Sequence, residues 1–283
     1  MLVHYFPPSP ALREYVRLLQ IVHYVFPDTA IVPFKPYWPR PEHCLTFYAR
    51  QTETVEYVNS GQQMHKPRSA LIGQPTIVTN RHVGREFLAF QVVFQPGALF
   101  RLLGLSGHEL TNTFVDAEAV FSSEIQLVNE RLSSTDQYAE MTGIVETFIH
   151  YLIKKRSAAL SRFSLRPIDQ VSQFMLENPS TVSLDWLASQ ACLSTRQFYR
   201  NFTERMGISP KLYNRIIRFD NAMKINNAQP SKDWLSIAIE LGYYDYQHMV
   251  RDFKEFTQLT PSEFALLDSH APERAFGLKE SGR

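Results

Sequence analysis

The chain has 283 residues, 44% of them hydrophobic and 20% charged, with a formal net charge of +1. That length suits two domains of ordinary size, and the composition is globular, which excludes a disordered or fibrous chain. No apolar run approaches the ~18 residues of a membrane span, and the opening MLVHYFPPSPALREYVRLL lacks the basic start and unbroken apolar core of a signal peptide. The expectation is a cytoplasmic protein with no membrane contact.

Residues 1 to about 100 carry short runs that alternate at period two, the signature of half-buried strands: 44–49, 54–58, 70–73 and 76–79. The clearest is FLAFQVVF at 87–94, with Leu88, Phe90, Val92 and Phe94 on one face. It stops at Pro96-Gly97, after which ALFRLLG opens a short helix closed by Gly104. Apolar residues at helical spacing between 123 and 156 predict two helices behind the sheet. Together these predict an α+β N-terminal domain, a small barrel-like sheet with helices, over residues 1–158.

The polar, basic stretch 154–167 is read as a junction. Beyond it, STRQFYRNFTERMGISP (194–210) returns in altered form as DYQHMVRDFKEFTQLTP (245–261). The repeat extends upstream: Leu184, Leu187, Ala188 and Ala191 fall opposite Trp234, Ile237, Ala238 and Leu241, at i, i+3, i+4 and i+7 of two short amphipathic helices. Ser183 and Asp233 are placed to cap those helices, and Ser194 and Asp245 to cap the ones that follow. Each copy is therefore a helix-turn-helix unit. The offset between copies moves from 50 to 51 residues across the turn, so the second turn is longer by one.

On a helical wheel the second helix of each unit buries Phe198 and Phe202, or Met249 and Phe253. The opposite faces present Arg196, Gln197, Arg200 and Thr203, or Gln247, His248, Arg251 and Lys254. Arg can pair bidentately with guanine and Gln with adenine in a major groove. Between residues 193 and 224 seven basic residues (Arg196, Arg200, Arg205, Lys211, Arg215, Arg218, Lys224) stand against Glu204 and Asp220, a local positive surplus suited to a polyanion. Ser194, Thr203, Lys211, Arg215 and Lys254 are the candidate phosphate contacts, although Arg205, Lys211, Arg215 and Arg218 equally suit a solvated face, and Arg218 a structural pair with Asp220. A helix over 211–228, with Leu212, Ile216, Phe219 and Met223 on one stripe, joins the units. Such a chain can occupy two successive major grooves of a non-palindromic site.

Residues 165–267 resemble the DNA-binding domain of the AraC/XylS transcriptional regulators. The resemblance is carried by LSTRQFYRNF (193–202), GISP (207–210), Arg218 and Ala222, GYYD (242–245), RDFKEFT (251–257) and LTPSEF (259–264). It implies promoter binding through two helix-turn-helix motifs, with base contacts falling on Arg196, Gln197, Tyr199 and Arg200, then Gln247, His248, Val250 and Arg251. Gln258 departs from the family's usual Gly and Ala265 from a common Arg, and Val250 can offer a base only a methyl contact. FQVVFQPGALFRLLGLSGHELTNTFV (90–115) looks like the N-terminal domain of one branch of the same regulators, which implies a sensor or dimerisation module.

For that module the candidate effector residues are Trp38, Arg40, Glu42 and His43, gathered just before a strand. The alternatives are a module that serves only dimerisation or protein contact, and a fused enzyme. GLSGH at 104–108 is not a G-x-S-x-G nucleophile motif, and no phosphate-cradling loop is present. His65, His82 and His108 are scattered, and Cys44 and Cys192 lie far apart, so no metal, no other cofactor and no catalytic residues are expected. Cys192 is expected to be buried, and residues 268–283 to form a polar tail that frays. The expected partners are promoter DNA, RNA polymerase, a small effector and a second copy of the chain, in an activator of transcription.

Overall fold

The computed structural model describes residues 2–157, 165–178 and 182–277. The N-terminal domain is built on two antiparallel sheets. The larger takes β1 (Leu2–Phe6), β2 (Val16–Val25), β4 (Cys44–Tyr48), β7 (Ser69–Ile72), β9 (Glu86–Phe94) and β10 (Phe114–Asp116), in the order β1-β2-β9-β4-β7-β10. The smaller takes β3 (Lys35–Tyr37), β5 (Glu53–Tyr57), β6 (Gln62–His65) and β8 (Thr79–Val83), in the order β3-β8-β5-β6. The two sheets remain separate and open, so the expected barrel-like sheet is a pair of sheets that does not close.

Period-two alternation sorts β9 as its sequence requires. Leu88, Phe90, Val92 and Phe94 join the core under the helices, while Phe87 and Ala89 face the second sheet. The covering helices are α1 (Ala98–Leu103), α2 (Ala117–Phe121), α3 (Ser123–Ser133) and α4 (Tyr138–Ser157). Gly104 ends α1 at φ 73°, a left-handed position that suits glycine. Residues 76–79, expected as a strand, begin β8 only at Thr79. Val78 instead turns its side chain into the core of the C-terminal domain.

The C-terminal domain comprises α5 (Pro167–Glu177), α6 (Leu184–Gln190), α7 (Thr195–Met206), α8 (Pro210–Ala228), α9 (Trp234–Glu240), α10 (Tyr246–Thr257), α11 (Pro261–Asp268) and α12 (Pro272–Ala275). Part of the predicted junction, residues 158–164, lies outside the described residues. The linker helix α8 forms the centre. Phe219 meets the rings of Phe253, Phe256 and Phe264 at centroid distances of 4.6, 5.2 and 6.3 Å. The predicted stripe of α8 is inside, but so are Tyr213 and Ile217, because the N-terminal domain covers a second side of the helix. Trp38 marks that cover: it belongs to the C-terminal core, with its ring edge-on to Phe264 and its indole N–H 2.9 Å from Asp220.

The segment after residue 268, expected to fray, holds α12 as far as it is described. Ala271, Pro272 and Glu273 are buried, Glu273 forms an ion pair with Lys35 of β3, and Phe276 packs against Phe26. Residues 278–283 lie outside the described residues.

Candidate nucleic-acid interface

Two helix-turn-helix units follow the duplication closely. All four predicted caps form: Ser183 accepts from the Trp186 N–H, Asp233 from Ser236, Ser194 from Gln197 and Asp245 from His248. Each satisfies a first-turn donor that would otherwise lack a partner. The turn between helices takes the same left-handed step in both units, at Cys192 (φ 56°) and at Gly242 (φ 69°). Leu193 and Tyr243 then donate to the carbonyls of Ala188 and Ala238. The inserted residue of the second turn is Tyr244, which is 92% exposed. Cys192 is exposed, contrary to expectation, because the left-handed step turns its side chain outward.

The second helices, α7 and α10, bury the predicted residues Phe198, Phe202, Met249 and Phe253. Arg196, Gln197, Tyr199 and Arg200 are exposed on α7, and Gln247 and Arg251 on α10, with His248 and Val250 half-buried. The Gln197 side chain closes a capping box: its Oε1 accepts from the backbone N–H and the hydroxyl of Ser194, at 3.1 and 2.9 Å. The bidentate adenine contact needs that oxygen, so while the box is closed Gln197 offers DNA only its amide donors. The ring of His248 meets Tyr243 edge-to-face at 5.6 Å.

The basic surplus of residues 193–224 is largely neutralised inside the domain. Arg205 is buried against Asp169 at 3.1 Å. Arg215 pairs with Asp252 at 2.8 Å and Glu255 at 2.5 Å, and those carboxylates hold its guanidinium charged against the effect of burial. Lys224 pairs with Asp220 at 2.6 Å, and Arg218 lies buried 4.0 Å from Asp252 with its guanidinium over the Tyr243 ring. Arg215, a candidate phosphate contact, is thus engaged by two carboxylates, while Arg205 and Arg218 are buried rather than solvated. Arg196, Arg200, Lys211, Arg251 and Lys254 are exposed, and Ser194 stands exposed at the N-cap of α7. Thr203 is half-buried and spends its hydroxyl proton on the Tyr199 carbonyl at 2.7 Å.

Sequence reasoning missed how both second helices, α7 and α10, end. The last carbonyls of a helix have no partner within it, and here the N-terminal domain supplies donors. The Ser106 hydroxyl reaches the Glu204 carbonyl at 3.4 Å, the His43 imidazole donates to Met206, and the Thr111 hydroxyl reaches Gly207 at 3.2 Å. On α10 the backbone N–H of Val78 donates to Phe256 at 3.0 Å, and the Gln258 side chain bonds Asn59. Both helices leave in the left-handed conformation, Gly207 at φ 79° and Gln258 at φ 66°, so the substitution of the family's Gly leaves the helix end unaltered. No motif in the sequence marks these contacts, because they join residues from 96 to 199 positions apart.

The four candidate effector residues do not surround one cavity. Trp38 and His43 serve the seam between domains. Glu42 accepts from Tyr37 at 2.6 Å and pairs with Arg17 at 3.2 Å. Only Arg40 lines the cavity of about 80 Å³ between the sheets, beside Lys35, Tyr37, Glu53 and Arg81. Burial alone would raise the Glu53 carboxyl, but Lys66 and Arg81 outweigh it and hold the group at about 2. Among the described residues there is no cluster of three metal-ligating side chains, and no helix is long and apolar enough to cross a membrane.

Residues 187–266 match the family model described as a helix-turn-helix domain. Over 84 residues the chain is 33% identical to an uncharacterised HTH-type transcriptional regulator of Haemophilus influenzae, and the match spans 28% of each protein. Among solved structures, ToxT of Vibrio cholerae is 12% identical, with a TM-score of 0.49 over 88% of this chain and 98% of its own. An AraC-type regulator domain from Chromobacterium violaceum is 23% identical, with a TM-score of 0.34 over 36% of this chain and 92% of its own. The duplicated capped units and the family match agree: this chain carries, at residues 187–266, a helix-turn-helix domain.

Proposed function

We propose that the chain is a sequence-specific transcription regulator that binds promoter DNA through α7 and α10, one in each of two successive major grooves. The observation that carries this reading is the pair of exposed faces, Arg196 with Arg200 on α7 and Gln247 with Arg251 on α10, on helices fixed to one linker helix. Arg196 and Arg200 read guanines in the first groove. Gln247 and Arg251 read the second, with Tyr199, His248 and the amide donors of Gln197 in support and Val250 limited to a thymine methyl. Ser194, Lys211 and Lys254 hold phosphates, and Thr203 abuts the backbone. The regulator acts in the cytoplasm with RNA polymerase as partner. It has no catalytic role.

The test is fluorescence anisotropy of the full chain on duplexes from its own upstream region and on scrambled duplexes, from ~50 to ~200 mM salt. Tight binding that survives the higher salt on one duplex supports the reading. Weak binding that vanishes equally on all of them rejects it.

A second element of the proposal is control by a small effector in the N-terminal domain, favoured by the cavity between the sheets with its Lys35, Arg40 and Arg81 wall. A ligand that binds only the folded state raises the melting temperature of the full chain. If no ligand class does so, the N-terminal domain is a scaffold for self-association or protein contact, which light scattering would register.

A further inference from the structure

The N-terminal domain reaches the DNA-facing side of α7 at one place. A 3-10 turn, Gly107–Leu110, lies against the C-terminal half of the helix. Between them opens a notch of about 610 Å³, walled on one side by Tyr199, Arg200 and Thr203 and on the other by Ser106 and His108. The notch is thus continuous with the face that carries the candidate base contacts.

We propose that this notch seats the sugar–phosphate strand bordering the first major groove, so that the N-terminal domain touches DNA directly, through His108. The inference rests on the proposed placement of α7 in that groove. A recognition helix in a major groove is flanked by the phosphates of both strands, and one flank of α7 here is occupied by the 106–110 segment.

The segment cannot give way easily. Gly107 and Gly207 face each other so closely that a Cβ on Gly107 would lie 2.3 Å from the Gly207 nitrogen, and one on Gly207 would lie 2.5 Å from the Gly107 carbonyl oxygen. The Thr111 hydroxyl bridges the same two residues, 3.1 Å from the Gly107 carbonyl and 3.2 Å from that of Gly207. Two glycines in van der Waals contact, closed by a shared hydroxyl, fix the turn to the helix end.

His108 is exposed, and among the described residues its side chain makes no hydrogen bond or ion pair, which leaves its ring N–H available to a phosphate oxygen. Arg200 faces the same notch. Two carboxylates stand nearby. Glu109 is turned back onto its own segment, accepting from the Ser106 N–H at 3.3 Å, and Glu204 is exposed at the rim. Glu204 therefore opposes a phosphate and His108 favours one.

The test is anisotropy titration of the full chain, as wild type and as His108→Ala, His108→Lys and Glu204→Gln, on the preferred duplex and on one with altered bases, at several salt concentrations. His108→Ala is expected to weaken binding about 2- to 10-fold by the same factor on both duplexes, the size of one net hydrogen bond. His108→Lys should tighten it and steepen the salt slope by about one unit, and Glu204→Gln should tighten binding to both. Equal melting temperatures confirm that the exposed substitutions leave the fold intact. If wild type discriminates between the duplexes while His108→Ala and His108→Lys keep its affinity and salt slope, the notch holds no strand. Tighter binding by His108→Ala overturns the proposal as well, since the turn would then obstruct the groove. A wild type without sequence preference rejects the proposed function itself, and this contact with it.

Discussion

The indole N–H of Trp38 lies 2.9 Å from Oδ1 of Asp220, a hydrogen bond from the N-terminal domain to the middle of the linker helix. Asp220 is buried and bonds Lys224 through its other oxygen at 2.6 Å, so the indole provides one of two partners for a desolvated carboxylate. Replacing Trp38 by Phe keeps most of the ring packing and removes the donor. A buried acceptor left unsatisfied costs about 1–3 kcal/mol, and the urea midpoint of the full chain should fall accordingly. A midpoint equal to wild type would show that the bond is replaced at no cost.

The turn of the first unit carries Cys192 where the second carries Gly242, both with positive φ. A side chain in that region is strained by roughly 1–2 kcal/mol, less where the surroundings adapt. Cys192→Gly should therefore raise stability by up to about 1 kcal/mol. Gly242→Ala, made in the same background, should lower it. Thermal unfolding of the two variants checks both signs.

Arg200 and Arg215 separate reading from holding. Arg200→Ala is expected to cost ~1–3 kcal/mol of binding and to relax preference at a single base pair, with the melting temperature unchanged. Arg215→Ala removes the closest ion-pair partner of Asp252, with Arg218 remaining at 4.0 Å, and should lower stability by about 1–3 kcal/mol. Anisotropy on a panel of single-base variants, run beside a thermal melt, distinguishes the two. Equal affinity loss on every duplex for Arg200→Ala would make it a phosphate contact.

Acid should open the seam between the domains. His43 is buried against the end of α7, and burial lowers its pKa from 6.5 to about 4, an effect that the Met206 carbonyl and Glu42 offset only in part. The unfolded chain thus binds a proton that the folded chain refuses, so this contribution is complete above about pH 6.5 and is lost as the pH falls toward 4. The loss amounts to about 3 kcal/mol at most. Melting temperatures between pH 7 and pH 4 should fall more steeply for wild type than for His43→Gln, which keeps a donor without titrating. Parallel curves would remove His43 from the account.

The C-terminal domain was legible because its signals are local. Caps and i+3 and i+4 stripes each lie within a dozen residues, the duplicated pattern recurs at a short offset of 50 to 51 residues, and Ser183, Ser194, Asp233 and Asp245 all cap where the sequence places them. The N-terminal domain was legible only in part. β2 is a central strand between β1 and β9, and its Leu19, Gln20 and Ile21 are buried in succession, which erases the period of two. Charge was the most misleading signal. Arg205 and Arg215 count as surface cations in the sequence, yet Asp169, Asp252 and Glu255 approach them from helices that only the fold brings near.

Each of α7 and α10 is anchored at its C-terminal end, by Ser106, His43 and Thr111 on α7 and by Val78 and Asn59 on α10, while the side chains that face outward near its start touch little else. On the proposed function, a substitution at Arg196, Arg200, Gln247 or Arg251 is therefore expected to alter which bases are preferred without disturbing a buried contact. In such a chain, new operator preferences are reachable by single mutations that leave the protein folded, whereas changes at the anchored ends are filtered out by stability before recognition is ever tried.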